Sequence, residues 1–75
     1  MVTVETLSAA LMHTFCDVTV NLQGTIFFSH GGNSVIHQVS CSFSGNLICD
    51  GKKIGNMKMD IVDVEIAILD AVSVR

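Results

Sequence analysis

The stretch CDVTVNLQGTIFF, residues 16 to 28, decides the fold of this 75-residue chain. Cys16, Val18, Val20, Leu22, Ile26 and Phe28 share one phase of a two-residue period, and Asp17, Thr19, Asn21, Gln23 and Thr25 share the other. Side chains alternate across a strand, so the pattern predicts a half-buried β-strand. Gly24 breaks the apolar phase. It predicts a bulge or, with Gln23, a tight turn that splits the segment into a hairpin of its own.

Downstream, Ser29, His30, Gly31, Gly32, Asn33 and Ser34 read as a loop, and alternation then resumes. Val35, His37, Val39, Cys41 and Phe43 take one face, with Ile36, Gln38, Ser40 and Ser42 on the other. Matching apolar faces across the loop sets Phe28 opposite Val35, Leu22 opposite Cys41 and Val20 opposite Phe43, because a one-residue slip would turn one strand inside out. Ser44, Gly45 and Asn46 suit a three-residue hairpin loop with its last position left-handed, which places Cys41 opposite Cys49. Asp50 and Gly51 form a second turn, of the primed type.

The two ends of the chain flank this sheet. Residues 3 to 14 predict a short amphipathic helix, with Thr3 as N-cap and Val4, Leu7, Leu11 and Phe15 as its stripe. From Met57 to Val74 the chain is rich in Val and Ile. Met57, Met59 and Ile61 keep one strand phase, Val62, Val64, Ile66 and Ile68 keep the other, and a bulge near Ile61 and Val62 would join them. So many β-branched residues favour a strand, with a helix from Asp60 to Val72 as the alternative. The expected fold is mainly β, bordering on α+β: one domain over residues 1 to 75, with an antiparallel sheet of four to five strands built from hairpins and one short N-terminal helix. No convincing repeat is visible.

Composition sets the class of function. A chain this short buries only about 60% of its unfolded surface and has a thin margin of stability. Yet 49% of its residues are hydrophobic, 15% are charged and mean hydropathy is +0.58, whereas ordinary soluble domains carry about 25% charge. Lys52, Lys53, Lys58 and Arg75 are the only basic residues, and Glu5, Asp17 and Asp50 are the only charges up to residue 51. A surface so weakly charged favours association. The net charge of -3 and the absence of a basic patch argue against nucleic acid and anionic membranes. The apolar runs fall far short of the roughly 20 residues that span a bilayer, and the N-terminus lacks the positive start of a signal peptide. The expected location is the cytoplasm when made, or a virion.

Chemistry-bearing residues are few. The spacings of His13 with Cys16 and of His37 with Cys41 look superficially like metal-ligand pairs. On one strand, however, His37 and Cys41 lie roughly 13 Å apart and cannot share an ion. No metal and no cofactor are expected. A Cys41 to Cys49 disulfide is conceivable as a cross-strand pair, but the expected reducing compartment opposes it. Catalysis by a thiolate would need nearby positive charge, and a phosphate-cradling loop at Gly31 and Gly32 would need a following Lys and helix. Neither is present, so no enzyme activity or small-molecule substrate is expected. Asp60, Asp63, Glu65 and Asp70 are read as solvated charge on a strand face.

Phe15, Cys16, Asp17, Val18, Thr19 and Val20, followed by Gly24, Phe27 and His30, resemble the opening hairpin of BTB/POZ and channel-tetramerisation domains. That family implies helices after the histidine, whereas Gly31 to Asn46 alternates as strand. The likeness is therefore read as a shared hairpin, and no residue role is carried over from it. The remaining expectation is a non-enzymatic self-assembling or protein-binding domain, such as a virion or tail subunit. The alternative is a small phage-type inhibitor or adaptor of a host complex. Contact is expected at the strand edges and at Ser29, His30, Gly31, Gly32, Asn33 and Ser34.

Overall fold

The computed structural model describes residues 2 to 32 and 34 to 73. It contains a helix α1 (Val4–Leu11), five strands β1 (Cys16–Val20), β2 (Ile26–Ser29), β3 (Ile36–Cys41), β4 (Asn46–Cys49) and β5 (Lys52–Asn56), and a helix α2 (Ile61–Ser73). The strands form one antiparallel meander in the order β1-β2-β3-β4-β5. Every connection within the sheet is thus a local hairpin. Both helices lie on one face and share a single core with it, built on Leu7, Leu11, Phe28, Val39, Leu47 and Ile68.

Helix α1 starts where its cap residues dictate. Thr3 accepts the Thr6 backbone N–H at 3.1 Å through its hydroxyl, and the Thr6 hydroxyl accepts the Thr3 N–H at 2.9 Å. That reciprocal pair satisfies two of the helix's unpaired N-terminal donors. Leu7 and Leu11 then face the core, as the periodicity predicts.

The segment 16 to 28 is a hairpin split at Gly24, the second of the two readings its sequence allowed. The Asn21 N–H donates to Thr25 O and the Gly24 N–H to Asn21 O, both at 3.0 Å. The same geometry recurs between β3 and β4, where the Ser42 N–H donates to Asn46 O and the Gly45 N–H to Ser42 O. Both loops have three residues, Leu22–Gln23–Gly24 and Phe43–Ser44–Gly45, and φ is +84° at each closing glycine. A side chain at such a φ would be strained, so glycine fixes both turns. The polar residue before each loop locks it, since Asn21 Oδ1 accepts from Gln23 and Thr25 while Ser42 Oγ accepts from Asn46. One hairpin design is therefore used twice, a repeat that the sequence hides because only the glycine is common to both loops.

The predicted registers are corrected by this. The left-handed residue is Gly45 rather than Asn46, so the loop begins one residue earlier. Pairing then shifts by two: Cys41 faces Leu47, and Cys49 faces Val39. Between β2 and β3, Phe28 faces His37 instead of Val35, and Ile26 faces Val39. Leu22 and Phe43 pair with nothing because they occupy the loop tips. Val20 pairs with Ile26. Each error is an even number of residues, so the inner and outer faces of β2 and β3 remain as predicted. The Asp50-Gly51 turn is as expected, with φ of 51° and 83° joining Cys49 to Lys52.

The segment after Met57 overturns the expected last strand, because residues 61 to 73 are helical. Six β-branched residues in α2 cost about 3 kcal/mol relative to alanine, at about 0.5 each. Burying Val64, Ile68 and Val72 contributes about 5 to 8 kcal/mol. Packing therefore outweighs propensity. Asp60 supplies a favoured residue type before the first turn, and its carbonyl accepts the Val64 N–H at 3.0 Å.

Candidate functional site

The predicted contact loop is divided by the structure. Ser29 is buried at the end of β2, its hydroxyl donating to Cys16 O at 3.3 Å, and His30 is half-buried with its ring edge-on to Phe15 at 5.3 Å. Gly31, Gly32 and Ser34 are exposed, and Asn33 lies outside the described residues. The first two residues thus belong to the packing of the sheet end, and among the exposed described residues only Ser34 carries a side chain.

The same end of the sheet holds a polar pair that sequence reading missed. His37 is buried, its Nδ1 is 2.7 Å from Asp50 Oδ2, and Asp50 Oδ1 accepts the Gln38 N–H at 3.0 Å. An ionised carboxylate can only accept, so the Nδ1–H is the donor of this bond. Nε2 is buried with no hydrogen-bond partner among the described residues. Phe28 packs against the ring at 5.6 Å. The available signal was the inward phase of His37, which demands a polar partner, together with a turn aspartate one strand away.

The three cysteines are free. Cys16 and Cys41 are exposed, and Cys49 is buried beside an open cleft of about 360 Å³ that Lys52 and Asp70 also line. Burial, reinforced by the adjacent Asp50, pushes the Cys49 thiol up to about 11. That keeps it protonated, the opposite of what an attacking thiolate requires. Among the described residues no group of three or more His, Cys, Asp or Glu side chains is placed to hold a metal ion. Nor is any described helix long and apolar enough to cross a membrane.

What remains on the surface is apolar and organised. Among the described residues no element covers the outer face of the sheet. By strand alternation it carries Thr19, Phe27, Ile36, Gln38, Ser40, Ile48 and Lys53, with Phe27 and Ile48 half-buried and Ile36 58% exposed. Lys53 is the one charge among these positions. The helix layer presents a second apolar surface on its far side. In α2, Ile68 is fully buried while Ile66 is 60% exposed, and Val62 and Leu69 share the exposed side with it. At 100° per residue these three fall within an arc of about 60°. Asp63 and Asp70 border one side of that ridge, and Glu65 the other. The helix is therefore apolar along two stripes.

No protein-family model, curated protein or solved structure matches this chain.

Proposed function

We propose that this chain is a non-enzymatic docking domain that associates with copies of itself through the outer face of its sheet, as a subunit of a larger assembly. One observation carries the reading: a five-stranded face that no described element covers holds Phe27, Ile36 and Ile48 among uncharged polar residues. In most small folds such a face is either polar or covered. Two copies brought face to face meet almost no like charge, because Lys53 is the sole charge there. Rotation about a twofold axis sets it against different residues of the other copy.

Size sets the expected strength. Five strands at about 4.8 Å spacing and about five residues at 3.3 Å give a projected face of about 400 Å². A standard interface removes about 800 Å² from each partner, so the sheet face alone supports weak, concentration-dependent association. Strand edges are the less favoured route. Edge strand β1 carries a bulge between Cys16 and Thr19 with Asp17 at φ 55°, and edge strand β5 carries Lys52 and Lys53. Both devices discourage edge-to-edge pairing.

Sedimentation or light scattering from about 1 to 100 μM tests the reading. The expected result is a concentration-dependent rise above the 8.0 kDa monomer. A monomer throughout that range overturns it.

A further inference from the structure

The ridge on α2 is a different surface on the opposite side of the molecule, with different chemistry. We infer that it docks an apolar helical segment of another protein, one whose seam is flanked by Lys or Arg. Three features converge on this occupant.

The first is shape. Beside the ridge, α1 and α2 leave an open groove of about 510 Å³. Its α1 wall is made of the small residues Thr6, Ala9 and Ala10, and its α2 wall of Ile61 and Glu65. Going round α2 at 100° per residue, Ile61 and Glu65 lead directly to Leu69 and Val62, so groove and ridge are continuous. Small side chains let a third helix approach closely, and a segment laid there would add a helix to the existing layer.

The second is hydrophobicity. Val62, Ile66 and Leu69 follow i, i+4, i+7 spacing, the arrangement by which one helix anchors to another. The core does not use them, since Val64, Ile68 and Val72 already bury the other side of α2.

The third is charge, and it selects the partner. Asp60 and Glu65 line the groove, Asp63 and Asp70 border the ridge, and α1 adds Glu5. Neither helix carries Lys or Arg. A second copy docking here by its own helix layer would bring carboxylates against carboxylates, which opposes twofold self-association on this side. A partner with basic flanks meets complementary charge at both borders.

The test uses the full chain and two synthetic amphipathic peptides of about 18 residues, long enough to form about five helical turns. They share one Leu/Ile seam, with Lys flanks in the first and Glu flanks in the second. Binding is read by calorimetry, and the fold of each variant is checked by circular dichroism. The Lys-flanked peptide is expected to bind at least about tenfold more tightly than its twin, more weakly as salt rises from about 0.05 to 0.5 M. Ile66→Gln, at a solvent-exposed position, is expected to cost about tenfold in that affinity, whereas Ile36→Lys on the sheet face leaves it unchanged. Equal binding of the two peptides, binding of neither, or unchanged binding by the Ile66→Gln chain overturns the inference. So does self-association that Ile66→Gln abolishes. The Ile36→Lys arm separates failure here from failure of the sheet-face reading.

Discussion

The two solvent-facing sides of this slab are both apolar, yet they differ in the one property that decides what can cover them. The outer sheet face is nearly chargeless, with Lys53 among Thr19, Gln38 and Ser40, whereas the α2 ridge is bordered by Asp63, Glu65 and Asp70. An uncharged apolar face tolerates its own copy. A carboxylate-bordered one repels it and selects a basic partner. Hydrophobic area supplies the tendency to dock, and the placement of a few charges assigns each side its own kind of partner.

The comparison holds only if the ridge is surplus to folding, and α2 contains its own control. Ile68→Ala removes a fully buried side chain and is expected to destabilise the domain by about 3 kcal/mol. Ile66→Ala, two residues away on the exposed stripe, is expected to change stability by less than about 0.5 kcal/mol. Urea unfolding of both variants checks the contrast. Equal losses would mean that the ridge is part of the core and has no second role.

A sharper break comes from placing a charge on the sheet face. Ile36→Lys would leave an unpaired ammonium in the self-interface and is expected to weaken association by about a hundredfold. Ile66→Lys on the far side is expected to leave association unchanged. Sedimentation of both variants over the same concentrations distinguishes them, and the reverse pattern would exchange the roles of the two faces.

The sheet face was legible in the sequence and the ridge was not, for a physical reason. Strand periodicity is local, so residues 26 to 28 and 36 to 41 announced their faces even though the registers across their loops were off by two, whereas in β1 the bulge between Cys16 and Thr19 breaks the expected face. The turn at Asp50 and Gly51 and the cap at Thr3 were equally local. Helix α2 depends on Val64, Ile68 and Val72 finding a sheet to pack on, and that tertiary gain opposes the β-branched preference of its own residues. Read as a strand, Val62, Val64, Ile66 and Ile68 share one face, and only the helix separates exposed Val62 and Ile66 from buried Val64 and Ile68. The His37 to Asp50 bond was hidden in the same way, because it spans two strands whose register a single loop residue shifted.

Between the two outer faces lies the apolar core that keeps them apart, and its cysteine reports on it. The Cys49 thiol, ordinarily near 9.0, is raised to about 11 in the folded chain. The unfolded thiol thus loses its proton first. The stability linked to this thiol is fully present below about pH 9 and declines as pH climbs through 11, by at most about 2 to 3 kcal/mol. At pH 8 the raised value alone slows alkylation about a hundredfold relative to an ordinary thiol. Mass spectrometry after brief iodoacetamide treatment is expected to show Cys16 and Cys41 modified and Cys49 intact. Early modification of Cys49 would mean that the sheet and helix layers open readily, and the two faces would then not be fixed relative to each other.

The smallest expected effect discriminates best between the faces. Raising salt from about 0.05 to 0.5 M shortens the screening length from roughly 14 to 4 Å, so any contact that depends on carboxylates must weaken. Self-association through the sheet is expected to change by less than about twofold, because burial of Phe27, Ile36 and Ile48 is indifferent to screening and Lys53 contributes only a minor repulsion. If self-association instead falls steeply with salt, the copies must be meeting through opposite charges. The available pairing would then set the acidic border of α2 in one copy against Lys52 and Lys53 of the next. Such a head-to-tail contact leaves a free surface on each end of a pair, and the chain would grow into rings or filaments rather than stop at a dimer.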